Sequence, residues 1–260
     1  MDRKKIPQKM TKTFSSEFAY NYKTYTFGYA NYCIKEPHDK IYDLYANGYL
    51  PYSGSPGIKN TFYMARSARI ILKTFEFSSE NRRIAKKFDE TLSSESIAIK
   101  NFKIHDSHFL NFCTEYFTKR HGPDIMPRER LLTILNSGFI TNIVCYRKNN
   151  EIIAYVFEVS DKLMVHFWFS FYNLNYSHQS LGMWLMLDQA RLAKKAGIEY
   201  FYVGTVYGDR ALYKTSFENL EYWDGTNWQN NPKQLKHLAR NDNKRIIGLD
   251  DAWKTKIGKF

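Results

Sequence analysis

The 260-residue chain is poor in cysteine, and the three that it has are not spaced for a shared site. Cys33, Cys113 and Cys145 lie far apart, with no Cys-x-x-Cys pair among them. Disulfide scaffolds and zinc or iron–sulfur knuckles need paired or closely spaced cysteines. The sequence therefore excludes these classes, and we expect a protein of the reducing cytoplasm.

Long apolar segments are also missing. The longest run, LMVHFWFSFY at residues 163–172, is interrupted by His166 and Ser170. It is much shorter than the roughly 20 apolar residues that span a bilayer. The charged start MDRKKIPQKMTKTF has no apolar stretch behind it, so no secretory signal is expected. We predict no membrane partner and interpret the run as a buried strand.

Acidic residues are outnumbered by basic ones. The chain has 26 Asp and Glu against 38 Lys and Arg, which gives a formal net charge of +12. Such a surplus favours a polyanionic partner, either nucleic acid or an anionic membrane surface. A basic but otherwise ordinary globular domain is the alternative. The 43% of hydrophobic residues argues for a folded core.

The first half of the chain predicts short elements. Pro37 and Gly48 bracket a short helix, and residues 61–77 alternate as one or two strands. A helix with a serine cap follows at residues 78–90, and its surface carries Arg82, Arg83, Lys86 and Lys87. Two more helices are predicted over residues 105–122 and from Pro127 to Gly138.

The second half is more regular. Residues 139–147, 151–159 and 163–172 predict an antiparallel meander. A glycine turn then opens a helix, followed by a strand, a short helix and a last strand ending at residue 228. This order predicts an α+β fold with a mixed sheet and flanking helices. We expect an N-terminal region with a basic helix at 1–100, an acyltransferase-like domain at 101–228, and a basic, partly helical tail at 229–260.

The glycine turn has an unusual residue. Residues Gln179–Trp184 nearly fit the Gln/Arg-x-x-Gly-x-Gly/Ala loop that holds the pyrophosphate of coenzyme A in acetyltransferases. A tiny residue is needed at the last position, because side-chain bulk keeps backbone amides away from the phosphate. Trp184 stands there instead. It is either a core residue, since it shares a helix face with Leu181, or part of a loop for another phosphate.

The element order resembles the Gcn5-related acyltransferase fold, and several motifs resemble one family with that fold, the arginyl- and leucyl-tRNA–protein transferases. Residues 179–184, QSLGMW, are similar to that family's Arg/Lys-Ser-Leu-Gly-x-Tyr loop, with an aromatic at the place of Trp184. The segments GIEYFYVGTVY, LYKTSFENLEYWDGTNW and YDLYANGYLPYSG also resemble family motifs, and Asn81-Arg82-Arg83 falls on its Gln-Arg-Arg. The resemblance runs intermittently from about residue 40 to 228.

The chain departs from the family pattern in two places. The family's cysteine cluster before the basic helix is replaced by TFYMARSARI, which leaves Cys33 as the sole candidate remnant. This departure counts against a metal or cluster role and against recognition of a standard acidic N-degron. Thr205 replaces a tyrosine in the strand after Gly204, which bears on acceptor specificity.

The resemblance implies an aminoacyl-tRNA co-substrate, a protein or peptide N-terminus as acceptor, and no cofactor or metal. The implied tRNA- and substrate-binding residues are Asn81, Arg82, Arg83, Lys86, Gln179, Ser180, Leu181, Gly182, Trp184 and Lys214. Tyr213 is the candidate proton donor to the departing ribose hydroxyl. Asp209 and Glu158 are candidates either for the base or for binding the donor's α-ammonium or side chain. A solvated helix face, a packed tyrosine and a surface lysine are the structural alternatives, and His166 is interpreted as a core histidine.

Three functions fit the sequence. The first is a transferase that moves an amino acid of the arginine or leucine type from tRNA to an amine. The second is an N-acetyltransferase that uses acetyl-coenzyme A, and the third is a non-catalytic RNA-binding protein on the same fold. The sequence leaves open the amino acid, the acceptor and the oligomeric state.

Overall fold

Three sheets organise the chain in the computed structural model, which describes residues 13–15, 20–21, 26–27, 31–54 and 58–242. The strands, in chain order, are β1 Thr13–Ser15, β2 Tyr20–Asn21, β3 Thr26–Phe27, β4 Asn31–Ile34, β5 Tyr49–Pro51, β6 Thr61–Met64, β7 Ser67–Ile71, β8 Ser93–Ala98, β9 Asn142–Lys148, β10 Glu151–Ser160, β11 Met164–Tyr172, β12 Tyr200–Thr205, β13 Leu220–Trp223 and β14 Trp228–Gln229.

The helices lie between these strands. The α-helices are α1 Ile41–Ala46, α2 Ser79–Ala85, α3 Ser107–His121, α4 Arg128–Leu135, α5 Leu181–Lys195 and α6 Pro232–Asp242. Short 3₁₀ segments are Leu72–Thr74, Ile99–Asn101, Leu174–Gln179 and Asp209–Ser216. The mixed α+β class with helices flanking a large sheet is confirmed.

The large sheet has eight strands in the order β14-β13-β7-β12-β11-β10-β9-β8. The pairing of β11 with β12 is parallel, and every other pairing in this sheet is antiparallel. Strands β7 and β8 come from the first hundred residues, so residues on both sides of position 100 share one sheet. The predicted meander β9-β10-β11 forms its centre.

Helices cover both faces of the large sheet. Along β9, Val144 and Tyr146 join the core that contains α2, α5 and α6, whereas Ile143 and Cys145 join the core of α3 and α4. This alternation follows from the two-residue period of a strand. Both faces are therefore buried, which explains the nearly continuous apolar runs in the central strands.

A smaller antiparallel sheet, β1-β4-β6-β5, carries α1 against the large sheet. Tyr45 and Leu44 of α1 lie in one core cluster with Met164 of β11 and Tyr202 of β12. Strands β2 and β3 pair with each other. The N-terminal elements thus reach the central strands, where the candidate site lies.

Local signals placed most element ends correctly. The Ser78 hydroxyl accepts the backbone N–H of Asn81 and begins α2, and the Asp106 carboxylate accepts that of Phe109 and begins α3. Pro37, by contrast, lies outside α1, which begins at Ile41. The predicted short helix after Gly208 is a 3₁₀ segment.

The end of the chain was predicted less well. The predicted last strand is two strands, β13 and β14. Helix α6 lies within the predicted tail, and its Leu235 and Ala239 are buried in the main core. The other residues of that tail, from 243, lie outside the described residues.

The described part of the chain contains no helix long and apolar enough to cross a bilayer. The three cysteines are buried thiols that form no disulfide. Burial raises the pKa of the Cys33 thiol to about 11, so this thiol stays protonated at neutral pH.

Candidate functional site

A cleft of about 1110 Å³ opens where the two parallel strands of the large sheet separate. Strands β11 and β12 pair from Met164 opposite Tyr200 to His166 opposite Tyr202. Past that point the register of β11 shifts against β10, and that of β12 shifts against β7. The cleft is lined by both strands beyond the pairing, at residues 167–170 and 203–205. Bulges at these points bend the strands apart and create the opening.

The floor of the cleft holds two nitrogen-bearing side chains. Gly204 has φ +80, and a β-carbon built on it would lie 3.6 Å from Lys214 Nζ and 3.7 Å from His166 Nε2. The ammonium of Lys214 donates to the carbonyl oxygen of Thr205 at 2.9 Å. Burial lowers the pKa of Lys214 to about 8. Lys214 is therefore not the solvated surface lysine that the sequence allowed.

His166 is a buried histidine that also borders the cleft. Its Nδ1 lies 2.8 Å from the hydroxyl of Tyr45, which α1 inserts beneath the sheet. Burial, and then the positive charge of Lys214, lower the pKa of His166 to about 3. The imidazole is thus neutral at physiological pH, and Tyr45 fixes its orientation while Nε2 borders the cleft. The interpretation of His166 as a core histidine from the sequence agrees with its burial, but it did not predict that His166 borders the cleft.

One wall of the cleft is basic. Arg120 and His121 end α3, and Arg210 lies on the 3₁₀ segment opposite them; all three line the cleft. Burial, then the charges of Arg120 and Arg210, lower the pKa of His121 to about 4. These two guanidinium groups therefore lie close enough to act on one imidazole. Such a cluster suits a carboxylate or phosphate ligand.

The rest of the lining adds to the positive charge. Arg130 and Lys214 also line the cleft, whereas Glu80 is the one acidic residue among the described lining residues. Glu80 is itself paired with Arg83 at 2.5 Å. The cleft therefore has a net positive lining, which favours an anionic ligand.

The glycine turn also borders the cleft. Ser180 has the left-handed conformation, with φ 69 and ψ 34, and directly precedes α5. Ser180, Gly182 and Met183 line the cleft, so the first free N–H groups of α5 lie beside it. A β-carbon on Gly182 would lie 3.0 Å from the Tyr172 ring, so the glycine allows this close approach.

Trp184 and Leu181 lie in the core instead. The Trp184 side chain is 2% exposed, and its indole N–H donates to Asp89 at 2.8 Å. Its ring packs between Phe88 and Tyr146. The bulk of the indole therefore points away from the turn, and what the turn offers the cleft is backbone and the small side chains of Ser180 and Gly182.

Helix α2 brings the predicted basic residues close to this turn. Lys87 donates to the carbonyl oxygen of Gln179 at 3.3 Å. Arg82, Arg83 and Lys86 are exposed, and Arg82 folds back onto the carbonyl oxygen of Phe77. Asn81 is buried, and its Nδ2 has no hydrogen-bond partner among the described residues.

The remaining predicted residues are divided between the cleft and its surroundings. Tyr213 is 48% exposed and lines the cleft, with its ring centre 6.0 Å from Lys214 Nζ. Asp209 is exposed at the start of the same 3₁₀ segment and is not part of the lining. Glu158 is buried outside the cleft, and burial raises its pKa to about 7.

Four cleft features were missed by sequence reasoning. Arg120 and His121 of α3 and Arg210 of the 3₁₀ segment line the cleft, and Tyr45 of α1 contacts the cleft residue His166; none of the four carries a local motif. The described residues contain no group of three or more His, Cys, Asp or Glu side chains that could hold a metal ion.

Comparisons with known proteins identify relatives. Residues 107–224 match the family described as arginine-tRNA-protein transferase, C terminus. An aspartate/glutamate leucyltransferase of Cereibacter sphaeroides is 37% identical over 73 residues, 27% of this chain and 26% of that protein. The chain thus aligns with about a quarter of that relative's length. An aspartate/glutamate leucyltransferase of Rhizobium leguminosarum is 25% identical over 182 residues, 63% of this chain and 68% of that protein.

Solved structures show weaker similarity. A DUF2156 domain from Agrobacterium fabrum has a TM-score of 0.41 at 14% identity and covers 55% of this chain and 46% of its own. A conserved protein from Bacteroides thetaiotaomicron has a TM-score of 0.39 at 10% identity and covers 55% of this chain and 51% of its own.

Proposed function

We propose, from the match of residues 107–224 to the arginine-tRNA-protein transferase family and the similarity to leucyltransferases, that this protein transfers an amino acid from aminoacyl-tRNA to the N-terminal amine of a protein or peptide. The observation that carries the proposal is the amine of Lys214 on the floor of a basic cleft, beside the neutral His166. We also propose that the large sheet with its separated parallel strands is a Gcn5-related acyltransferase fold.

The reaction asks little of the protein beyond alignment and proton movement. The acceptor amine attacks the carbonyl carbon of the ester, a C–N bond forms, and the C–O bond to the ribose breaks. Holding both substrates in one cleft supplies much of the barrier reduction. The attacking nitrogen must lose a proton and the ribose oxygen must gain one.

Lys214 suits the first proton step. An α-amine has a pKa near 8, and the pKa of Lys214 is lowered to about 8. A catalytic group with a pKa near the working pH transfers protons most efficiently. We assign Lys214 as the acceptor of the amine proton. His166 lies near Lys214, is oriented by Tyr45, and is neutral, so it adds no positive charge beside the lysine.

Tyr213 is our candidate for the second proton step. Its exposed side chain lines the cleft next to Lys214. Its hydroxyl would donate to the departing ribose oxygen and regain a proton from the Lys214 ammonium through solvent. The oxyanion of the tetrahedral intermediate would be met by backbone N–H groups of β11 beyond His166, where pairing with β12 has ended.

Two parts of the cleft lining suit the two substrates. The start of α5, at Ser180 and Gly182, offers backbone N–H groups to a phosphate of the donor's 3′ end. The basic wall of Arg120 and Arg210 suits an acidic side chain on the acceptor. Relatives named aspartate/glutamate leucyltransferase lead us to propose Asp or Glu at the acceptor N-terminus, and leucyl- or arginyl-tRNA as the donor.

A transfer assay tests this function. The purified protein is incubated with each labelled aminoacyl-tRNA and with peptides that begin with Asp or Glu, and the products are weighed by mass spectrometry. Matched peptides beginning with Asn or Gln are the control. We expect one added residue on the acidic peptides and less on the neutral ones, because only a carboxylate pairs with the basic wall.

The same samples test the competing acetyltransferase. If no aminoacyl-tRNA donates, and acetyl-coenzyme A both raises the melting temperature and acetylates the peptides, the proposed function is wrong. If tRNA binds tightly but no amine receives an amino acid from any donor, the protein is an RNA-binding protein on a transferase fold.

A further inference from the structure

Helix α6 presents a row of basic side chains to solvent. Lys233, Lys236 and Arg240 are exposed, and their spacing of three and four residues places them on one side of the helix. Leu235 and Ala239, on the opposite side, are buried in the main core. We call these three basic residues the α6 row.

The charge of the α6 row is not neutralised locally. None of its members forms an ion pair with any carboxylate among the described residues. Asp242 is the sole acidic residue of α6. It is buried and forms an ion pair with Arg66, whose Nη1 lies 2.9 Å from its Oδ2. The exposed side of α6 therefore carries positive charge alone.

The α6 row is fixed next to the cleft. The same Asp242 carboxylate accepts the backbone N–H of Gly208 at 2.8 Å. Gly208 directly precedes the 3₁₀ segment Asp209–Ser216, which supplies Arg210, Tyr213 and Lys214 to the cleft. The buried ion pair thus holds the C-terminal end of α6 against the segment that carries the candidate catalytic lysine.

We propose that the α6 row binds the phosphate backbone of the RNA whose charged 3′ end enters the cleft. This inference rests on the proposed function. Lys233 and Arg240 are seven residues apart, about 10 Å along the helix, so the row is long enough to face more than one phosphate of an RNA strand. Lysine and arginine at such a spacing can contact successive phosphates without reading the bases.

An anionic membrane fits the α6 row less well. Helices that lie on membranes insert an apolar face beside their basic one. The apolar face of α6 is already buried, with Leu235 1% exposed and Ala239 0% exposed. The α6 row therefore has exposed positive charge but no exposed apolar face that could enter a bilayer. This combination favours a nucleic-acid partner.

Salt-dependent tRNA binding tests the α6 row. Fluorescence anisotropy with labelled tRNA is measured between about 50 and 200 mM salt for the wild type and for Lys233→Gln/Lys236→Gln/Arg240→Gln. Glutamine keeps the helix propensity of these positions. The slope of log K against log salt should fall by about 2 to 3, with at least about tenfold weaker binding at the lower salt.

A matched variant controls for total charge. Lys100→Gln/Lys103→Gln/Lys162→Gln removes the same charge from exposed positions away from α6, since Lys100 and Lys103 adjoin β8 at the other edge of the sheet and Lys162 precedes β11. This variant should keep nearly the wild-type slope. Circular dichroism and melting temperature check that both variants fold.

Transfer from two donors separates the inference from the proposed function. The inference requires that full tRNA contacts the α6 row and that a short charged oligonucleotide ending in CCA does not. The α6 variant should transfer normally from the oligonucleotide and poorly from subsaturating tRNA. Equal salt slopes for the α6 variant and wild type, with transfer from both donors intact, would overturn the inference and leave the function standing. If the wild type binds anionic vesicles but not tRNA, the α6 row binds a membrane instead of RNA, and the inference is wrong.

Discussion

The amine of Lys214 and Nε2 of His166 lie 3.6 and 3.7 Å from one point, the place where a β-carbon on Gly204 would stand. A glycine with φ +80 leaves this point open to the cleft. The lowered pKa of Lys214, about 8, makes its amine a proton acceptor near neutral pH, and the neutral imidazole beside it adds no repulsion. Both nitrogens therefore face the space beside Gly204, which a side chain at this position would narrow.

Replacing Lys214 should remove a titration from the reaction. The wild-type single-turnover rate at saturating acceptor should rise with pH through a midpoint near 8, because the neutral lysine accepts the proton. Lys214→Arg keeps the charge but cannot titrate in this range. We expect it to lose about 10²- to 10⁴-fold in rate and to lose the midpoint that is independent of the acceptor.

The acceptor amine titrates in the same range, so two acceptors whose α-amines differ in pKa are needed as the control. A midpoint that stays constant between them belongs to the enzyme. A midpoint that follows the acceptor, in wild type and Lys214→Arg alike, would show that Lys214 is not the proton acceptor.

A methyl group on Gly204 should crowd the Lys214 amine and the His166 imidazole. Gly204→Ala adds a β-carbon in contact with both nitrogens and strains a backbone at φ +80, at a cost of about 1–2 kcal/mol. We expect a lower melting temperature and a larger loss of transfer rate. Gly138→Ala is the matched control, since Gly138 has φ +77 with nothing within 4 Å of the added carbon. Equal loss of activity in both variants would mean that strain alone is responsible.

The buried Glu158 carboxyl should make stability depend on pH. Burial raises its pKa from 4.5 to about 7. Between these values the folded protein holds a proton that the unfolded chain has lost, so the free energy of unfolding falls as pH rises, by up to about 3 kcal/mol. Glu158→Gln removes this penalty and should be more stable than wild type at pH 8 in urea unfolding. If the stability gained by Glu158→Gln over wild type is no larger at pH 8 than at pH 5, the pKa of Glu158 is not raised by burial.

Trp184 should contribute to stability rather than to substrate choice. Trp184→Ala removes a 2% exposed indole and the N–H bonded to Asp89, which should cost about 3–5 kcal/mol. Coenzyme A should still not stabilise the variant in a thermal-shift assay. Trp184→Phe, which keeps most of the packing, should cost less. Stabilisation of Trp184→Ala by coenzyme A would show that the indole alone excludes that cofactor.

The sequence by itself determined the local features and the resemblance to a known family. Serine and aspartate caps begin α2 and α3 because a side-chain oxygen satisfies a free helical N–H, whatever the rest of the fold does. The meander β9-β10-β11 was predicted from alternation and turn residues. The resemblance to tRNA–protein transferases, drawn from short motifs in the right order, is confirmed by the match over residues 107–224.

The tertiary structure alone decided which side chains meet. Tyr45 and His166 are 121 positions apart, and no local pattern pairs them. The sequence allowed both a functional and a structural interpretation of Lys214 and of Trp184. The packing decided between them, because Lys214 lies on the cleft floor and Trp184 lies in the core. A pKa, a cleft and a basic wall all depend on burial and on charges from distant segments, and these arise only when the strands pair.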